Sequence, residues 1–214
     1  MQAVPFAFTL TALSLLLVLG ADSLIAGTCQ QLDPTRSQVR IRVGRAGLFS
    51  AFAHDHEIDA PVAEALVAGN GQPVIAVRFA TKALRVLDPG VPLQERAEIE
   101  KTMLGPRVLD AARFPEIRFR SQQVRQLSPE RWQVDGELSL HGVTRSVSFT
   151  LAQKGDAYRA TVPVRQSAFG IRPLRLAGGT VRVRDEVVVE LALHLVSAPE
   201  HLCAKLTEAS RAGS

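Results

Sequence analysis

A chain of 214 residues with a formal charge of +4 and 46% hydrophobic residues allows one domain of ordinary size with a substantial core, which needs no metal or disulfide to hold it. The basic excess is carried mostly by arginines that alternate with apolar residues (Arg40, Arg42, Arg118, Arg120, Arg182, Arg184). That pattern is a solvated strand face and speaks against nucleic acid, while leaving room for peripheral contact with an anionic membrane.

Met1 to Gly20 is almost wholly apolar, centred on Leu10–Leu19, and small residues follow at Ala21, Ser23, Ala26 and Gly27. This order fits a cleaved export signal, with an uncleaved N-terminal anchor as the alternative, although the segment before Leu10 has no Lys or Arg. Thr28 stands where a lipidation signal requires Gly or Ala before Cys29. The division expected is therefore a signal over 1–27, a folded domain over 30–197 and a C-terminal tail over 198–214, in a periplasmic or secreted protein. In such an oxidising compartment Cys29, ahead of the first strand, and Cys203, beyond the last, become a candidate disulfide, because the first and last strands of a closed barrel are neighbours. Two unrelated thiols on the tails fit the residues equally well.

Period-two alternation runs through the rest. Val39, Ile41 and Val43 face one way and Arg40 and Arg42 the other, and a second run covers about His54 to Val67 with a break at Pro61. Ile75, Val77 and Phe79 follow the turn signal Gly69-Asn70-Gly71. The period then changes: Leu93, Ala97, Glu100 or Lys101 and Leu104 are at helical spacing, which predicts a helix over 93–104 ended by Gly105-Pro106. Strands resume with Ile117 and Phe119, then with Trp132, Val134, Leu138 and Leu140. His141-Gly142 turns the chain into Val147, Phe149 and Leu151, and another hairpin leads to Tyr158–Val164. After a loop over Ser167–Gly179 one long strand carries Val181, Val183, Val187, Val189, Leu191, Leu193 and Leu195 inward. The expected fold is all-β: an antiparallel barrel of about eight strands with one short helical insertion.

Three blocks give these strands a wider context. Leu109-Asp110-Ala111-Ala112-Arg113-Phe114-Pro115-Glu116-Ile117-Arg118-Phe119-Arg120-Ser121, Val134-Asp135-Gly136-Glu137-Leu138-Ser139-Leu140-His141-Gly142-Val143-Thr144, and the pair Ser167-Ala168-Phe169-Gly170-Ile171 with Asp185-Glu186-Val187 occur in order. In this the chain resembles the YceI-like family of exported polyisoprenoid-binding proteins. The resemblance implies an extended lipocalin-like barrel holding an isoprenoid lipid or quinone in its lumen, and the reading that follows is a binding protein with no cofactor and no covalent chemistry. With the inward strand positions facing that lumen, the expected lining comprises Val39, Ile41, Phe49, Phe52, His54, His56, Ile75, Val77, Phe79, Ile117, Phe119, Trp132, Val134, Leu138, Val147, Phe149, Phe169, Ile171, Val189 and Leu191. The same apolar positions would equally suit a solid core, and taken without the resemblance they favour one.

Phe52-Ala53-His54-Asp55-His56-Glu57-Ile58 departs from the family, which has a Gly-rich segment here. A His-x-His on one strand face offers two imidazoles, so a metalloprotein using His54 and His56 is one alternative; a packed-core stress or interaction protein is another. No third metal ligand suggests itself: His141 belongs with Glu137 and Ser139, His194 with Glu190, and His201 lies in the tail. Otherwise the histidines stand at the barrel mouth, bonding a quinone carbonyl or prenyl phosphate with Asp55 or Glu57 orienting a ring, or are simply structural. Nucleophile elbows, phosphate loops and zinc-type Cys sets are missing, Asp185 and Glu186 face opposite sides of a strand, and Asp88-Pro89-Gly90 reads as a turn. Oligomeric state, lipid chain length and head group are not legible.

Overall fold

The structure is a computed structural model that describes residues 28–46, 55–69, 73–176, 181–199 and 201–204. Phe49, Phe52, His54 and the apolar segment 1–27 lie outside them. The strands are β1 (Thr28–Leu32), β2 (Gln38–Ala46), β3 (His56–Asp59), β4 (Val62–Gly69), β5 (Val74–Ala80), β6 (Arg85–Val86) and β7 (Glu116–Ser128). They continue as β8 (Arg131–Leu140), β9 (Val143–Lys154), β10 (Ala157–Arg165), β11 (Arg175–Leu176), β12 (Val181–Leu193) and β13 (Leu195–Ser197), and the helix α1 spans Leu93–Leu104.

Three pairs of these segments are single runs with a kink. β1 and β2 bend where Asp33 accepts hydrogen bonds from the Thr35 backbone and hydroxyl, β3 and β4 at Pro61, which has no N–H to give a ladder, and β12 and β13 at His194. The first and last kinks lie side by side and are tied together, since the His194 N–H donates to the Ser37 hydroxyl (2.8 Å) and the Asp33 N–H to the His194 carbonyl (2.8 Å). Counted this way, eight runs pair antiparallel in a ring: β1–β2 with β3–β4, then β5, β7, β8, β9, β10 and β12–β13, which returns to β1–β2. The sheet closes on itself as an extended lipocalin-like barrel, and closure removes the long edges that would otherwise invite aggregation. β6 and β11 are short additions at one end.

Inward and outward positions alternate most plainly in β10, where Ala160, Val162 and Val164 are buried while Thr161, Pro163 and Arg165 are exposed. Arg40 pairs outside with Glu57 and Asp59, and Arg42 with Glu190. α1 has the bounds read from its spacing. Its residues are mostly polar, and it is held by docking: Ile99, Met103 and Leu104 pack on a cluster of Val39, Ile58, Ala60, Leu84 and Val86. The Val86 N–H donates to Glu100 (3.0 Å), and Arg96 donates to the Leu87 carbonyl (2.9 Å).

Two glycines explain why the sequence blocks read as they do. A Cβ on Gly136 would lie 2.8 Å from the Phe119 ring and 2.5 Å from the Arg120 carbonyl oxygen, so only glycine lets that ring fold across β8 toward Phe149, at a centroid distance of 5.6 Å. His141 (φ 52°) and Gly142 (φ 73°) make a two-residue hairpin turn with positive φ at both positions. Phe114 packs on this turn, its ring 4.6 Å from that of His141, and His141 Nδ1 meets the Phe169 carbonyl at 3.2 Å. Ser167 in turn donates from its N–H (2.7 Å) and hydroxyl (2.6 Å) to Asp185. The separate blocks thus meet at one end of the barrel. His141 sits in the turn itself and not on the outer strand face with Glu137.

The opposite end is stapled. Cys29 and Cys203 form a disulfide with a Cα–Cα distance of 5.7 Å. Cys29 lies within β1, not ahead of it, and the residues after β13 fold back so that Leu202 and Cys203 pack with Leu66 and Ala68.

Candidate functional site: an apolar lumen with a polar mouth

The inner faces of the eight runs do not fill the barrel. They enclose a cavity of about 480 Å³. A single water needs only about 10–15 Å³, so this is far larger than a packing defect and falls within the range of small-molecule sites. The interior is hollow, a point that the apolar pattern alone leaves open.

Of the expected lining, Val39, Ile41, His56, Ile75, Val77, Phe79, Ile117, Phe119, Leu138, Val147, Phe149, Ile171, Val189 and Leu191 border the cavity. Trp132, Val134 and Phe169 do not. Trp132 shares the parity of the lining residue Leu138, but its ring packs 5.8 Å from that of Tyr158 and does not border the cavity, although its ladder partner Leu151 does. Val134 is fully buried in the wall between Val124 and Phe149, its register partners. Phe169 is buried in the cluster of Ala160, Val162 and Val164. Sequence reading missed Val162 and Val164, which the alternation of β10 signals, and Ile99 and Met103, which no strand pattern reveals because α1 brings them.

The lining is sharply divided. Among the described residues its polar members are His56, Glu95, Glu98, Thr102, Gln166 and Arg172. All belong to the end where β3 begins, β10 finishes and α1 docks, and everything deeper is aliphatic or aromatic. On β12 the lining runs from Val183 to Leu193, roughly 33 Å of strand at about 3.3 Å per residue, so the cavity is elongated.

His56 is held from outside its own strand. Asp88, Pro89 and Gly90 form a turn closed by the Val91 N–H on the Asp88 carbonyl (3.1 Å), with Gly90 at φ 95°. The turn sends the Asp88 carboxylate back onto β3, where it accepts from the Glu57 N–H (2.8 Å) and meets His56 Nδ1 at 2.6 Å. The Asp88 side chain is 2% exposed and that of His56 27%. A carboxylate here accepts the Nδ1 proton, which leaves Nε2 as the ring nitrogen for a ligand. Asp55 and Glu57 do not orient this ring; they face Arg45 and Arg40. No group of three metal-ligating side chains occurs among the described residues.

A closed antiparallel barrel around an elongated apolar cavity with polar groups gathered at one mouth is the architecture of a small-molecule container. The chain belongs to the YceI-like family, whose domain it matches over residues 30–195. Two UPF0312 proteins of Pseudomonas putida, from strains W619 and GB-1, are 30% and 29% identical over 86 residues, a stretch covering 36% of this chain and 45% of theirs. The chain therefore aligns with about half the length of these relatives. Burkholderia cenocepacia BcnA has a similar structure (TM-score 0.57, 17% identity, 78% of this chain and 99% of that one). Campylobacter jejuni YceI protein is more distant (TM-score 0.47, 11% identity, 63% and 80%).

Proposed function

We propose that this protein is a non-catalytic carrier that holds a polyisoprenoid or similar amphipathic lipid, an isoprenoid quinone or a prenyl phosphate, in its lumen. The observation that carries this reading is the division of the cavity, whose polar lining lies at one end of a long apolar wall. An apolar chain inside would remove that wall from water, worth about 25 cal/mol per Å² covered, while the head stays among His56, Gln166 and Arg172. Branched Val, Leu and Ile side chains suit a methyl-branched chain. The Cys29–Cys203 disulfide supports an oxidising, exported location, and loss of residues 1–27 from the mature chain, read by intact mass, is the expected sign of it.

The test is native mass spectrometry of protein purified from its own host, followed by titration of delipidated protein with a long-chain quinone or prenyl phosphate. A lipid mass on the protein, and a melting temperature that climbs with added lipid, are expected. Val147→Phe and Val189→Trp, both in the cavity wall, should weaken capture while the barrel still folds. Lipid-free protein from the host together with no thermal response to either lipid would overturn the reading.

A further inference from the structure

We infer that one lip of the mouth is a docking surface for an anionic lipid bilayer. Four arginines, Arg172, Arg175, Arg182 and Arg184, gather there from the segment after β10, from β11 and from the start of β12, and all are exposed. Arg172 also borders the cavity, which joins the lip to the lumen entrance.

The local packing does not account for this charge. Arg175 and Arg182 are directly opposite one another across the β11–β12 ladder, an arrangement that repels and destabilises a strand pair. No carboxylate among the described residues forms an ion pair with any of the four. The nearest acids in sequence are engaged elsewhere: Asp185 is turned onto Ser167, and Glu186 lies across the ladder from Arg165. Arg184 is held in place, its stem across Gly44 and its Nε donating to the Arg45 carbonyl (2.9 Å). Elsewhere on the barrel, Arg36, Arg40, Arg42, Arg78 and Arg118 each have a carboxylate partner, whereas Arg125, Arg131, Arg145 and Arg159 form no ion pair with a described carboxylate; the lip is set apart by two arginines directly opposed on one ladder beside the cavity entrance. The lip is therefore a local excess of positive charge placed at the mouth of an apolar cavity. A sheet of lipid phosphates offsets that repulsion and at the same time sets the mouth against the phase in which a long-chain lipid resides. A nucleic acid would gain from aromatic side chains interleaved with the arginines, and the described lip has none.

This inference goes beyond the carrier reading and is tested without it, because adsorption to vesicles requires nothing in the lumen. Full-length mature protein is sedimented with vesicles of phosphatidylcholine alone or with added phosphatidylglycerol. Binding is expected only to the anionic vesicles, and should fall steeply with salt. Arg175→Ser/Arg182→Ser should weaken partitioning about fivefold per arginine, so roughly 25-fold for the pair. It should not lower the melting temperature, since it relieves a repulsion. Arg125→Ser/Arg131→Ser removes the same charge at the opposite end of the barrel and should change binding less than about twofold if the lip is the contact. Equal losses in the two variants, no binding to anionic vesicles, or tighter binding to single-stranded RNA at equal salt would each overturn the inference.

Discussion

Nδ1 of His56 stands 2.6 Å from a carboxylate oxygen of Asp88 that is almost fully removed from solvent, although the two residues are 32 positions apart in the chain. The pair ties the start of β3 to the turn ahead of α1 and fixes the orientation of a ring that borders the lumen. His56→Ala leaves the buried carboxylate with one donor, the Glu57 N–H, and should cost about 2–3 kcal/mol. Asp88→Asn keeps an acceptor for the Glu57 N–H and turns an N–H toward His56 Nδ1, which a neutral imidazole accepts in its other tautomer, and asparagine tolerates the φ of 23°, so it should cost about 1 kcal/mol or less. Urea denaturation of the two variants checks the order; an Asp88→Asn loss as large as that of His56→Ala would contradict it.

Gly136 makes the sharpest steric prediction. The Cβ of Gly136→Ala would press on the Phe119 ring and the Arg120 carbonyl together, and the carbonyl is ladder backbone that cannot step aside. A loss of about 1–3 kcal/mol is expected. Adding Phe119→Leu should recover only the ring's share, as a double-mutant cycle will show.

The acid side of the stability profile follows from four carboxylates held below their ordinary range. Asp185 is lowered chiefly by the Ser167 hydroxyl, Asp33 by the Thr35 hydroxyl, Asp156 by Arg36 and Glu116 by Arg118. A carboxyl group depressed in the folded state adds stability that is complete above its unfolded value, about pH 4, and fades as pH drops through the lower folded value. Unfolding midpoints should thus be level from neutral pH to about pH 5 and fall below about pH 4. Ser167→Ala should lower the midpoint at neutral pH, with the difference from the parent closing as pH falls. A difference that widens in acid would refute this assignment.

Reducing the disulfide tests the far end. Its two cysteines are 174 residues apart, and the loop-entropy model gives an upper figure of about 5 kcal/mol for such a span. Cys29→Ser/Cys203→Ser should lose a large part of that, yet keep the far-ultraviolet spectrum of the barrel, because β1 remains paired with β4 and β13. Loss of the β signal under native conditions would show the link to be required for closure.

Much of this molecule follows from local pattern. The alternation of Val39, Ile41 and Val43 with arginines, the Leu93–Leu104 spacing and the His141-Gly142 turn depend on neighbours in the chain, so strands, helix bounds and hairpin could be read directly. The inward direction of Val77, Phe149 or Leu191 was legible for the same reason. Whether those side chains meet across the axis was not, because hollow and solid interiors share one period-two pattern, and only the closed ring of eight runs sets the width between facing walls. Nor does period two say which inward side chains border the lumen: Trp132 has the parity of Leu138 and faces the lining residue Leu151 across the ladder, yet does not border the cavity itself. His56 is held by Asp88 and not by its chain neighbours Asp55 or Glu57, and Arg182 and Arg184, which alternate harmlessly in sequence, meet Arg172 and Arg175 of the preceding loop at one lip. The His56–Asp88 pair joins segments 32 residues apart, and tertiary closure alone brings them within reach of one another, while the lip is made by the β11–β12 hairpin and acquires its meaning only from its place at the mouth.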